Sequence, residues 1–135
     1  MKVLLVDDEP FILQGLSVLI DWAAEGCEIV KMASNGKEAL LYLEDHEADL
    51  VITDIKMPVM SGLELLEQIR GRQISDAFFI ILSGYNDFSY AQKAIRYACM
   101  GYLVKPVQKE ALLELIRKAK SSLAVTEQNA ENERR

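Results

Sequence analysis

The sequence predicts a doubly wound α/β domain, a five-stranded parallel sheet flanked by five helices. Three observations carry that prediction. Short runs of Val, Ile and Leu lack the alternation of a half-exposed sheet, stretches of helical spacing separate them, and the two kinds of segment alternate five times within 135 residues. Such alternation calls for parallel strands joined by right-handed crossovers. The length suits one core and is too short for two sizeable ones.

The elements follow in order. A first apolar run, Val3 to Val6, leads into a helix with Ile12, Leu16, Leu19 and Ile20 on one face, and Trp22 is expected to anchor its end. A weaker run, Glu28 to Ala33, precedes a helix from Gly36 to His46 that carries Ala39, Leu40 and Leu43. Leu50 to Thr53 is the third run, followed by Leu65, Leu66 and Ile69 at helical spacing. The fourth, Phe78 to Leu82, precedes a stripe of Phe88, Ala91, Ile95 and Ala98, which leaves Tyr90 and Tyr97 partly exposed. The fifth, Tyr102 to Val104, leads to Leu112, Leu115, Ile116 and Ala119. The domain is expected to occupy residues 1–120. The tail, 121–135, "SSLAVTEQNAENERR", loses the apolar spacing and reads as a helix extension or the start of a linker to an output domain absent from this chain.

Composition excludes several function classes. A formal net charge of -6 opposes direct contact with nucleic acid phosphates or anionic lipid. No apolar stretch approaches the ~20 residues of a membrane span, and "VLLV" is too short for a signal-peptide core, so a cytoplasmic location is expected. Cys27 and Cys99 lie far apart, without a Cys or His at metal-ligand spacing, and are expected to be buried, reduced thiols. His46, the one histidine, sits among acids and reads as a solvated residue. "ASNGKEAL" lacks the first Gly and the final Ser or Thr of a P-loop.

In an open α/β sheet, chemistry gathers at the carboxyl ends of the strands. Asp7 and Asp8 follow the first run, Asp54 the third, Ser83 the fourth and Lys105 the fifth, so all share one rim. Each has an ordinary alternative: Asp8 and Glu9 ahead of Pro10 suit helix capping, Asp54 suits a turn, and Lys105 suits a solvated strand end. Their joint occurrence is harder to explain that way. Carboxylates ~4 Å apart repel by roughly 4 kcal/mol at an effective dielectric of 20, so a cation belongs among them. Three carboxylates with loop carbonyls nearby match Mg²⁺, which takes a few protein oxygens and fills its remaining positions with water or phosphate. With Lys105 and the metal neutralising the pocket, Asp54 is the candidate nucleophile toward phosphorus.

"LLVDDEP", "VITDIKMPVMSGLELL", "IILSGY" and "GYLVKPV" resemble, in order and spacing, the four signatures of the receiver domain of bacterial response regulators. The resemblance covers roughly residues 1 to 120 and implies a flavodoxin-like strand order, 2-1-3-4-5. It implies that Asp54 accepts a phosphoryl group from a sensor histidine kinase. Asp8 then ligates Mg²⁺, with Asp7 supporting and the Lys56 backbone carbonyl completing the protein's share. Lys105 and the Ser83 hydroxyl would bind the phosphoryl group, and Tyr102 would be the switch aromatic that turns inward as the Ser83 loop closes. Pro106 follows a cis peptide in the family. The fourth helix, fifth strand and fifth helix form the family's usual homodimer face. One departure stands out: "YACMGY" has Ala98 and Cys99 where many receivers have glycine, which predicts a differently shaped helix end.

"LIDWAAEGCEIVKMASNGKEAL" and "SGYNDFSYAQKAI" are similar to receivers attached to AraC-type helix-turn-helix output domains. That similarity implies a transcription regulator with a DNA-binding domain elsewhere in the protein; these residues contain no recognition helix or basic patch. Two other readings compete with a phosphoacceptor switch. A Mg²⁺-dependent phosphohydrolase would need a second aspartate two residues past the nucleophile, where Lys56 stands. A phosphorylation-independent receiver-like module would be expected to have lost Asp54, Lys105 or one of the acids, and none is lost.

Overall fold

A computed structural model describes residues 1–84 and 88–133, with the side chains of Phe88, Tyr90, Ala91 and 126–133 outside that description. The elements run β1 (Lys2–Val6), α1 (Pro10–Leu19), β2 (Glu28–Ala33), α2 (Gly36–Asp45), β3 (Leu50–Asp54), α3 (Gly62–Gly71), β4 (Phe78–Ser83), α4 (Phe88–Arg96), β5 (Gly101–Val104) and α5 (Lys109–Glu133). All strand pairs are parallel, in the order β2-β1-β3-β4-β5, as the resemblance implied.

Alternate residues of the central strands face opposite layers, which is why those strands are apolar throughout. Leu4, Val6, Val51, Phe79 and Ile81 pack with Ala39, Leu40 and Leu43 of α2 and with Leu65, Leu66 and Ile69 of α3. Val3, Leu5, Leu50, Ile52, Ile80 and Leu82 pack with Leu13 and Leu16 of α1 and with Leu112, Ile116 and Ala119 of α5. Trp22 is buried in that second layer and donates its indole N–H to the Leu16 carbonyl at 3.0 Å, anchoring the end of α1 as expected.

Side-chain caps fix two of the helix starts. Asn35 accepts from the Glu38 N–H at 2.9 Å while the Glu38 carboxylate reaches back to the Ser34 N–H at 3.1 Å, and Ser61 accepts from the Glu64 N–H at 3.1 Å. α5 runs on through 121–133, where apolar spacing was lost in the sequence. Cys27 is a buried free thiol as expected, whereas Cys99, beyond the end of α4, is a free thiol only partly buried; burial pushes the pKa of each upward. His46 is exposed, its ring stacked on Tyr42 with centroids 4.4 Å apart.

The fourth helix departs from the expected stripe. Among the described side chains of α4, Ala94 is the fully buried one and Ile95 is 58% exposed, so the face toward the core is turned by one residue at that point. Phe88, Tyr90 and Ala91 lie outside the described side chains, while Tyr97 is exposed as expected. Ala98 lies beyond α4 with φ of +59°, and the Cys99 N–H returns to the Ala94 carbonyl at 3.4 Å. The missing glycine therefore leaves the left-handed cap in place; alanine occupies it despite its Cβ.

Candidate functional site

Four strands deliver the site. β1 ends at Val6 and leads directly to Asp7 and Asp8; Asp54 and Ser83 are the last residues of β3 and β4; Lys105 follows β5. Asp7 is fully buried, Asp54 and Ser83 are buried, and Asp8 is exposed. The parallel register places these ends at one edge because Val6 lies opposite Thr53, Asp54 opposite Leu82, and Ser83 opposite Val104.

Lys105 Nζ lies 3.1 Å from Asp7 Oδ2 and 3.0 Å from Asp54 Oδ2. Its backbone N–H donates to the Ser83 carbonyl at 2.9 Å, and its peptide bond to Pro106 is cis. The other oxygens of the buried acids accept from the main chain: Asp7 Oδ1 from the Glu9 N–H at 2.9 Å, Asp54 Oδ1 from the Ile55 N–H at 2.8 Å. Burial pushes the Asp54 carboxyl above its ordinary pKa; the Lys105 hydrogen bond opposes that push and the Asp7 charge adds to it. Burial also disfavours the Lys105 ammonium, yet its hydrogen bonds and charge contacts with Asp54 and Asp7 outweigh this and raise its pKa.

The capping alternative for Glu9 finds no bond. Glu9 is the N-cap residue of α1 and makes no side-chain cap hydrogen bond, and Asp7 turns inward to Lys105. Carboxylate oxygens of Asp7, Asp8 and Asp54 lie within 4.8 Å of one another. Such a set of hard oxygen donors, without thiolate or imidazole, fits Mg²⁺. Lys56 is exposed in the loop after β3, and Tyr102 is 43% exposed on β5 opposite Ile81.

Three residues outside the expected set shape the loop after Asp54. A Cβ on Gly62 would stand 2.0 Å from the Asp54 carbonyl oxygen, so only glycine permits this approach of α3 to β3. Glycine directly after a cap serine, inside a helix it weakens, was the available signal. Thr53 is fully buried and donates its hydroxyl to the Asp54 carbonyl at 3.0 Å. Val59 has φ of +70°, and the Met60 N–H donates to the Pro58 carbonyl at 2.7 Å, a γ-turn of the strained hand. Nothing in a β-branched residue announces such a backbone. The turn is fastened from outside: the Gly36 N–H donates to the Met60 carbonyl at 3.0 Å, where a Cβ on Gly36 would stand 2.6 Å from that oxygen.

Residues 3–117 match the family model of the response regulator receiver domain. The chain is 39% identical over 112 residues to the uncharacterized transcriptional regulatory protein YesN of Bacillus subtilis, covering 83% of this chain and 30% of that protein. It is 41% identical over 115 residues to the transcriptional regulatory protein HptR of Staphylococcus aureus, covering 85% and 44%. The chain thus spans less than half the length of these relatives. Among solved structures, the REC domain of AraT, a response regulator from Geobacillus stearothermophilus, superposes with a TM-score of 0.86 at 38% identity, covering 93% of this chain and 97% of that one. A two component transcriptional regulator AraC from Clostridium phytofermentans ISDg gives 0.82 at 28% identity, covering 92% and 95%.

Proposed function

The chain belongs to the response regulator receiver domains, and from that premise we propose that it is a phosphoacceptor switch in which Asp54 takes a phosphoryl group from a sensor histidine kinase. The observation that carries the reading is Lys105 Nζ seated between Asp7 and Asp54, at 3.1 and 3.0 Å. A cation in that position neutralises the Asp54 carboxylate before transfer and the phosphoryl oxygens after it.

Asp8 and Asp54, with Asp7 supporting and the Lys56 backbone carbonyl, would hold Mg²⁺; the gathered carboxylate oxygens support this assignment. When bound, the ion supplies charge neutralisation at the phosphoryl oxygens. In the transfer, an Asp54 oxygen attacks phosphorus as the bond to the kinase imidazole breaks, and the imidazole nitrogen leaves with the electron pair. The phosphoryl group carries about -1.5 to -2 charges where the carboxylate carried one, and its oxygens draw the Ser83 hydroxyl and Lys105 toward them. Lys105 is tied to the Ser83 carbonyl and Tyr102 lies beside β4, so movement at Ser83 has a short path to the exposed ring of Tyr102.

The output is transcription regulation by a DNA-binding domain outside these residues. Its support is the names of the relatives and the fraction of the two regulatory proteins' length that this chain spans. Exposed Ile95, Tyr102 and Val104 on α4 and β5 favour a homodimer through the α4, β5 and α5 face. A cytoplasmic location for the kinase-fed switch is part of this proposal; among the described residues no helix is long and apolar enough to cross a membrane. In this reading residues 1–120 are the receiver, and 121–135 are a helix extension or the start of a linker to the output domain.

Incubation with acetyl phosphate and Mg²⁺, followed by intact mass measurement, tests the reading. A single phosphate adduct absent from Asp54→Ala is expected; turnover of acetyl phosphate without an adduct overturns the proposal.

A further inference from the structure

We infer that Thr53 is a positioning residue for the phosphoacceptor: its hydroxyl, together with the bare Cα of Gly62, fixes the peptide joining Asp54 to Ile55, and that peptide's N–H fixes the Asp54 carboxylate. The inference rests on the reading of Asp54 as the phosphoryl acceptor.

Thr53 lies in the central strand, fully buried, with Val6 and Ile81 as its neighbours in register. It shares a sheet face with Val51, two residues before it, which packs in the layer of α2 and α3. Valine has the same shape, suits a buried strand and carries no group that must be taken out of water. The hydroxyl therefore costs desolvation, and its return is the hydrogen bond to the Asp54 carbonyl at 3.0 Å. A Cβ on Gly62 would stand 2.0 Å from the same oxygen and 3.1 Å from Thr53 Oγ1. One carbonyl is thus gripped by a donor and enclosed by a helix start that has no side chain in the way.

The peptide group is planar, so holding its carbonyl also sets the direction of the N–H on the opposite side. That N–H belongs to Ile55. It donates to the Leu82 carbonyl at 3.1 Å and to Asp54 Oδ1 at 2.8 Å. The terminal torsion of an aspartate is soft and roughly two-fold, so the carboxylate would otherwise rotate broadly. With Oδ1 held by the main chain and Oδ2 facing Lys105 at 3.0 Å, the two oxygens are distinct before any donor arrives. Misplacing a reacting group by about 1 Å can cost about a hundredfold in rate, and loosening this peptide acts on that geometry.

The test uses Thr53→Val and Thr53→Ser in the whole chain. The initial rate of adduct formation is measured by intact mass across acetyl phosphate concentrations at saturating Mg²⁺. In Thr53→Val the maximal rate should fall by about tenfold to a hundredfold with the half-saturating donor concentration unchanged; Thr53→Ser should remain within about threefold of the parent. Both variants should melt within a few degrees of it. The second readout needs neither donor nor metal. The Ile55 amide, bonded to a carboxylate, should resonate downfield and exchange slowly in ¹H–¹⁵N spectra. Thr53→Val should lose both properties with the Val51 and Ile52 amides unmoved, and Thr53→Ser should keep them. An unchanged Ile55 signal in Thr53→Val, an unchanged maximal rate, or failure of serine to rescue each overturns the inference. Absence of any adduct in the parent chain instead overturns the reading of Asp54, and the Ile55 signal then decides the positioning role alone.

Discussion

Lys105 Nζ stands 3.0 Å from Asp54 Oδ2, so the cation that follows β5 meets the carboxylate that ends β3 across the end of β4. The same Nζ reaches fully buried Asp7, 98 residues away in sequence. Replacing Lys105 with Ala leaves two acids facing each other without their cation. Because the Lys105 side chain is 22% exposed and solvent screens part of the contact, the expected loss of stability is about 1–2 kcal/mol in metal-free buffer, less than for a fully buried pair. Urea unfolding measures it, and a variant as stable as the parent would show that the three-way contact contributes nothing.

Asp54 makes stability depend on pH in a definite direction. Burial raises its folded pKa above the ordinary 3.8. Its contribution is therefore fully present below 3.8 and is lost as pH rises through the folded value. Lys105, raised above 10.5, stays charged throughout that window and its contribution does not change there. Asp54→Asn removes the titration. In EDTA, the stability of the Asn variant minus that of the parent should grow as pH rises above 3.8 and level off beyond the raised value. Added Mg²⁺ should raise the melting temperature of the parent and do so less in Asp54→Asn and Asp8→Ala. A stability difference that shrinks with rising pH would contradict the buried, ionising carboxylate.

Arg70 closes the far end of the α3, β4 and α4 layer. Its guanidinium donates to the carbonyls of Tyr97 at 3.3 Å, Ser75 at 3.4 Å and Ala77 at 3.0 Å, and lies 5.3 Å from the Phe79 ring centroid. Burial lowers its pKa, with no loss of charge at neutral pH. Arg70→Ala should cost about 2–3 kcal/mol, since it strips donors from partly buried carbonyls and removes the stem's packing. Arg70→Lys should recover less than half, because an ammonium does not present the same planar fork. Chemical denaturation distinguishes the two.

Ala98 holds a left-handed backbone that glycine adopts without a Cβ clash. Ala98→Gly should therefore stabilise the chain by about 0.5–1 kcal/mol, the relief at φ of +59° exceeding the added entropy of the unfolded chain. A destabilised glycine variant, measured by thermal unfolding, would show that the Ala98 methyl group makes a contact worth more than its strain.

The order of elements and the gathering of Asp7, Asp8, Asp54, Ser83 and Lys105 at one edge were legible in the sequence. Strands buried on both faces must be apolar throughout, and in a parallel sheet every carboxyl end falls on the same side. Which residue of α4 faces the core was not legible: Ala94 and Ile95 are both apolar and adjacent, and the packing of α4 against the rest of the fold selected the smaller. Val59 and Ala98 were equally opaque, since their side chains disfavour positive φ. At Val59 that backbone accompanies the γ-turn tied to Gly36, and at Ala98 the return of the Cys99 N–H to α4. The sequence by itself determined which chemical groups stand at the rim. Only the tertiary structure decided that Asp54 Oδ1 belongs to the Ile55 N–H and Oδ2 to Lys105, because that assignment depends on distances between segments that periodicity does not encode.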